Sequence, residues 1–119
     1  MTTPQIAAQS VAQRAAFMAE KVEIEVKGVI ENMSWFIGDD GQRYELFGEG
    51  GGSALAEKLG VPLLGQIPLE PTLRAGSDNG NPVAVDSSTE IGSIFAELAR
   101  VVEEDLKPSK RRHRELKIN

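Results

Sequence analysis

The chain has 119 residues, 40% apolar and 26% charged, enough for the core and solvated surface of one ordinary domain. It has no cysteine and one histidine, His113. This excludes disulfides, thiolate nucleophiles and cysteine-held zinc or iron–sulfur clusters for this chain alone, and it leaves a histidine metal site without a second ligand; a carboxylate magnesium site stays open. The net charge of −5 is uneven: six bases against Glu115 give residues 107–119 a charge of +5, so residues 1–106 carry −10.

An acidic body argues against a broad nucleic-acid surface. The basic tail has the chemistry to touch nucleic acid or an acidic membrane, but the expectation for a terminal charge run is a solvated, disordered segment. No apolar run reaches the ~20 residues of a membrane span. No basic-then-apolar leader opens the chain, which makes the cytoplasm the expected location.

Residues 4–22 read as a helix. Pro4 suits a first helical turn, and Ala7, Val11, Ala15, Met18 and Val22 recur at three- and four-residue spacing, predicting one apolar face. Val26 to Glu31 reads as a short strand ending at Asn32. Trp35–Ile37 and Tyr44–Phe47 are β-prone and flank Asp40-Gly41, a turn signal, so they predict a hairpin. After Gly48-Glu49-Gly50-Gly51-Gly52 a helix is predicted from Ser53 to Leu59, with Gly60 beyond its end and Pro62 preventing continuation.

Leu63 to Ile67 reads as a buried strand ending at Pro68. Residues 70–81 read as a loop with one helical turn begun by Pro71, and Val83–Val85 as a short extended piece. Ser87 to Glu90 has capping-box spacing. It opens a helix to about Leu106 with Ile91, Ile94, Phe95, Leu98, Val101 and Val102 on one face. The predicted fold is α/β, part of a mostly parallel sheet, with residues 1–106 as one unit. A sheet with no strand before its first helix is incomplete at that edge.

Few residues suggest chemistry. The glycine run precedes a helix, where backbone amides can hold an anion. However, the chain has no Gly-Lys pair for a P-loop, and Gly48-x-Gly50-x-x reaches Ser53 where a dinucleotide fingerprint needs glycine. A flexible lead into the helix is the expected role. Asp39 and Asp40 read as a solvated turn rather than a catalytic pair, and no serine–histidine or cysteine–histidine pair is available. Asn32 follows a strand at the end where open α/β sheets bind ligands, and its amide suits the edge of an adenine, although an ordinary turn asparagine reads as well.

In combination, several stretches are similar to Mrp/ApbC-type iron–sulfur carriers, a MinD-like branch of the P-loop ATPases. They are Thr2-Thr3-Pro4-Gln5, Gly28 to Phe36, Leu46 to Gly52, Leu59 to Leu69, Arg74 with its Gly/Asp-rich loop, and Pro82-Val83. The resemblance runs from about residue 2 to 106 and leaves out the basic tail. It implies the C-terminal part of a doubly wound, mostly parallel sheet with a small hairpin insertion. It also implies that Asn32 contacts the adenine of ATP and that Pro68, Leu69 and Glu70 lie beside the base.

Members of that family are ATP-dependent homodimers that carry clusters to iron–sulfur apoproteins. Their Walker A lysine, switch aspartates and magnesium ligands lie upstream of Thr2, and Met1 stands where the family has the last apolar residue of a strand. The resemblance therefore implies a C-terminal fragment that needs an N-terminal P-loop half and is inactive as an ATPase alone. The alternative is a non-enzymatic interaction module that complements a separately encoded P-loop chain. The family's C-x-x-C pair is replaced here by Ile37 to Gly41, as in cysteine-less, actinobacterial-type members, which removes the usual cluster ligands. No membrane or nucleic-acid partner is implied.

Overall fold

The computed structural model describes residues 1–106; the expected disordered basic tail, residues 107–119, lies outside the described residues. The order is α1 (Ile6–Lys21), β1 (Val29–Asn32), β2 (Phe36–Ile37), β3 (Arg43–Tyr44), α2 (Gly51–Leu59), β4 (Leu63–Ile67), α3 (Pro71–Asp78), a 3₁₀ turn (Val83–Val85) and α4 (Glu90–Glu104).

β1 and β4 pair in parallel, Val29 opposite Leu63 and Asn32 opposite Ile67. On the other side of β1, Thr2 forms a single parallel bridge with Glu31. The Thr2 amide donates to the Ile30 carbonyl at 2.9 Å, and the Asn32 amide donates to the Thr2 carbonyl at 2.8 Å. The sheet order is therefore Thr2, β1, β4. Parallel neighbours need long crossovers, which here contain α1 and α2.

Side-chain alternation divides the core between the two faces of the sheet. Val29 packs with Leu55 and Ala56 of α2, joined by Ala12, Leu59, Val61 and Leu63. The next residues in each strand point the other way: Ile30 and Leu64 join Ile67, Ile91 and Leu98 in the cluster beneath α4. Covering both faces is the doubly wound arrangement expected of parallel strands. Gly28 has a steric role, since a Cβ there would lie 2.5 Å from Leu64 Cγ.

The predicted apolar face of α1 points outward. Val11, Met18 and Val22 are 65%, 62% and 56% exposed. The helix instead docks through a second stripe of small, half-buried residues, Ala8, Ala12, Ala16 and Ala19. Alanines permit a close approach to α2, whereas the larger stripe is left mostly exposed among the described residues.

Other differences are local. β1 starts at Val29 rather than Val26, and β3 is Arg43–Tyr44 rather than Tyr44–Phe47, because the chain turns at Glu45–Gly48, where the Gly48 amide donates to the Glu45 carbonyl. α2 begins at Gly51, two residues before Ser53, with Gly50 in a left-handed conformation at φ 77° as its N-cap. The predicted loop after Glu70 is an eight-residue helix begun by Pro71. Gly76 sits within that helix because a Cβ there would lie 2.6 Å from the Asn81 carbonyl. Val83–Val85 is a 3₁₀ turn, not extended. The cap of α4 is Thr89, whose hydroxyl accepts the Gly92 amide at 3.0 Å, so the Ser87–Glu90 box does not form.

Candidate functional site

The C-terminal ends of β1 and β4 lie side by side, and their pairing continues past the strands. The Ser34 amide donates to the Ile67 carbonyl at 3.0 Å, and the Leu69 amide to the Trp35 carbonyl at 2.7 Å. The segment Asn32–Trp35 is thus fastened to Ile67–Leu69, which places Asn32 at the same sheet end as Pro68, Leu69 and Glu70. Pro68 is buried; Asn32, Leu69 and Glu70 are half-buried. The Asn32 carbonyl oxygen Oδ1 accepts the Met33 amide at 2.9 Å. That local bond orients the side chain and leaves its NH2 as the donor free to meet a ligand. Met33 completes the turn at φ 55°, a left-handed conformation unusual for a residue with a side chain.

Asn32 also lines an open groove of about 500 Å³ with Thr2, Thr3, Ala8 and Val11. The groove borders the outer edge of the Thr2 segment, where no described residue pairs. An amide donor beside an apolar wall is chemistry that fits the edge and face of a purine base.

Glu31 is the centre of this end of the sheet, and its neighbours in sequence gave little sign of it. It is 1% exposed. Its carboxylate accepts from the Ser34 hydroxyl at 2.7 Å, the Gln66 side-chain amide at 2.9 Å and the Gly52 backbone amide at 2.5 Å. Burial raises the Glu31 pKa, but these three donors outweigh it and hold the carboxyl below its ordinary value. Gly52 permits the approach, since a Cβ there would lie 2.7 Å from both Cβ and Oε2 of Glu31. The available signal was a charged residue at an inward position of a short apolar strand, followed by glycines at a helix start.

This arrangement settles what the glycine run does. The N-terminus of α2 already holds an anion, the Glu31 carboxylate, and a phosphate beside it would be repelled. Only Gly48 to Gly50 lead into α2; Gly51 and Gly52, expected as part of a flexible lead, are its first residues and are buried.

The hairpin holds itself together by local bonds. Asp40 accepts from the Gln42 amide at 3.0 Å and from the Tyr44 hydroxyl at 2.5 Å. The Tyr44 bond, then the Gln42 bond, lowers the Asp40 pKa, and the same bond raises that of Tyr44. The Arg43 guanidinium sits 4.1 Å from the Trp35 ring centroid, a cation–π contact. Asp39 and Asp40 are exposed, as a turn tip requires. No group of three or more metal-ligating side chains occurs among the described residues, and the whole chain offers no thiolate for an iron–sulfur cluster. No helix among the described residues is long and apolar enough to cross a membrane.

Residues 1–103 match the ParA model described as the NUBPL iron-transfer P-loop NTPase. The chain is 44% identical over 109 residues to an iron–sulfur cluster carrier protein of Mycobacterium leprae, covering 87% of this chain and 28% of that protein. It is also similar to a nucleotide-binding protein of Archaeoglobus fulgidus solved in complex with ADP. That match has 35% identity and a TM-score of 0.58, over 75% of this chain and 36% of the other. The cell division protein MinD of Aquifex aeolicus shares the fold, with a TM-score of 0.64 at 21% identity, over 92% of this chain and 44% of the other. The chain spans from about a quarter to two fifths of the length of the curated relatives it matches.

Proposed function

This chain belongs to the ParA-type family of NUBPL iron-transfer P-loop NTPases, and on that premise we propose that it is the base-recognising C-terminal part of an ATP-binding iron–sulfur cluster carrier. In this reading Asn32 donates its NH2 to a ring nitrogen of adenine, with Pro68, Leu69 and Glu70 beside the base. A P-loop portion, which the relatives' greater length has room for, binds the phosphates and magnesium and carries out hydrolysis. Phosphoryl transfer needs a positioned lysine and metal, and no Gly-Lys motif occurs in this chain. The cluster is cargo delivered to apoproteins, and it is held by groups other than cysteines of this chain. The active assembly is a homodimer of the completed protein, in the cytoplasm.

The observation that carries the reading is the sheet order Thr2, β1, β4, with an open parallel edge at Thr2 beside Asn32. A strand added at that edge puts whatever follows it at the same sheet end as Asn32, which is where ligands bind in open α/β sheets.

The test is complementation. This chain is mixed with a P-loop segment taken from the 44%-identical relative, and binding of a fluorescent ATP analogue is followed. The mixture is expected to bind nucleotide where neither piece does alone. Pieces that form a stable complex without binding nucleotide would overturn the reading, and so would nucleotide binding by this chain alone at the same affinity.

A further inference from the structure

Asn32 opens a short turn that is held at both ends. At the near end the Asn32 amide donates to the Thr2 carbonyl at 2.8 Å. At the far end stands Ser34, 3% exposed. Its amide donates to the Ile67 carbonyl at 3.0 Å. Its hydroxyl lies 2.7 Å from Glu31 Oε1 and 3.1 Å from the Glu31 backbone carbonyl, with one proton to give. The shorter, charge-assisted contact is the stronger of the two. Between the ends Met33 stands at φ 55°, a conformation that a residue with a side chain keeps only where its surroundings hold it.

We propose that Ser34, anchored on Glu31, is a positioning residue for Asn32: its hydroxyl locks the turn so that the Asn32 NH2 is already aimed when a base arrives. This deepens the base-recognition reading and rests on it. The first support is the anchor. The Glu31 carboxylate is also held by the Gln66 side-chain amide of β4 and the Gly52 backbone amide of α2, so the hydroxyl is tied to two further elements rather than to a free side chain.

The second is the link from the lock to Asn32. Asn32 Oδ1 accepts the Met33 amide at 2.9 Å, so the direction of the side-chain amide follows the Met33 backbone. A change that lets Met33 leave its left-handed conformation swings the Asn32 NH2 with it. The third is the division of labour. Asn32 is half-buried and borders the groove, whereas Ser34 is buried, so Ser34 reaches a base only through Asn32. Hydrogen bonds weaken steeply as their angle departs from linear, and a preset donor loses little freedom on binding.

The test uses the complex of this chain with the P-loop segment and two ligands: ATP, and inorganic tripolyphosphate, which has the phosphates without the base. Ser34→Ala is expected to weaken ATP about three- to tenfold and to leave tripolyphosphate unchanged. Added to Asn32→Ala it should have no further effect, because the group it positions is gone. Ser34→Cys fills the same place with a weak donor and should act likewise where the alanine variant does not fold. Val29→Ala removes buried packing against α2 and none of the bonds of the turn, so it should lower stability without separating the two ligands. In the chain alone, exchange of the Met33 amide should quicken about fivefold in Ser34→Ala, with α4 unchanged. Equal losses for both ligands would make Ser34 a purely structural group and overturn the proposal. So would ATP affinity at the parent's value, losses additive with Asn32→Ala, or unchanged Met33 exchange. If Asn32→Ala itself leaves ATP binding intact while Met33 exchange still quickens in Ser34→Ala, the base reading falls and the lock on the turn stands.

Discussion

The Glu31 carboxylate accepts the Gly52 amide at 2.5 Å, so an internal anion closes the N-terminus of α2 and ties it to β1. The same carboxylate holds Ser34 and, across the sheet, Gln66. Three segments therefore meet at one buried charge next to Asn32. Replacing Glu31 by alanine leaves a buried amide and a side-chain amide without their acceptor, and it leaves the Ser34 hydroxyl only the residue 31 carbonyl at 3.1 Å. Hydrogen bonds to a charged group contribute about 1.5–3 kcal/mol each, and these three are not independent. The expected loss is about 3 kcal/mol, which at this chain length lowers Tm by more than about 10 °C. Glu31→Gln should lose less, because its one oxygen can still accept from Ser34 and Gln66 together, which share Oε1, at the cost of an NH2 facing the Gly52 amide at the Oε2 position. Thermal denaturation followed by circular dichroism checks both, and an alanine variant within about 0.5 kcal/mol of the parent would show that the hub carries no stability.

The same group makes stability depend on pH. The folded pKa of Glu31 lies below its ordinary value of 4.5. The unfolded chain therefore binds the proton first as pH falls. The contribution of Glu31 is fully present above about pH 4.5 and is lost as pH drops through the folded pKa. Urea midpoints measured from pH 7 to pH 3 should fall on the acid side of that value, and Glu31→Gln should flatten this part of the profile. An identical acid limb in the variant would assign the loss to other carboxylates.

Gly52→Ala is expected to destabilise although alanine favours helix by about 1 kcal/mol. The new Cβ would meet Glu31 Cβ and Oε2 at 2.7 Å each, in a buried place where neither backbone nor carboxylate has room to withdraw. Overpacking of this kind typically costs about 1–3 kcal/mol. Ala54 lies two residues on and is exposed, so Ala54→Ser serves as a control that should change little. A Gly52→Ala chain more stable than the parent would mean that the carboxylate is free to move.

These predictions mark where the sequence was legible. The two parallel strands could be read because each is a short apolar run closed by a breaker, Asn32 in one case and Pro68 in the other. Asn32 was placed correctly at the sheet end because strand and turn were adjacent in sequence. α3 was hidden: Gly76, Ser77 and Asp78 read as turn residues, whereas the helix begun by Pro71 runs on to Asp78 and packs Leu73 against the α4 cluster. The outward stripe of α1 misled for the opposite reason. Periodicity identifies an apolar face but not what covers it, and the stripe of smaller alanines makes the contact. Glu31 was invisible because its three partners are 3, 21 and 35 residues away.

Asn32→Ala tests base recognition in the complex with a P-loop segment. A hydrogen bond to a neutral base contributes roughly 0.5–1.5 kcal/mol, so ATP affinity should fall about three- to tenfold while the complex still forms. The chain by itself should show neither magnesium-dependent ATP hydrolysis nor stable iron after anaerobic reconstitution, because it has no P-loop lysine motif and no thiolate. Unchanged affinity in the variant would remove Asn32 from the base site, and stoichiometric iron on the chain alone would require ligands of another kind.

The exposed stripe of α1 leads to the last prediction. Val11 is 65% exposed, Met18 62% and Val22 56%. They lie along α1 and its C-cap, a helix that has no fully buried residue of its own. Val11 also borders the groove at the open Thr2 edge. Covering a few hundred Å² of such surface is worth several kcal/mol at about 25 cal/mol per Å², comparable with the ~5–15 kcal/mol stability of a whole domain. The isolated chain should therefore associate with itself as concentration rises, and it should gain order and lose that association when a P-loop segment occupies the edge. Val11→Ser with Met18→Gln should reduce self-association without lowering Tm, since neither side chain is buried in the chain's own fold. Light scattering across a concentration series, read beside thermal denaturation, separates the two effects. A parent chain that stays monomeric throughout and melts cooperatively at an ordinary temperature would show that this face is a stable surface needing no cover.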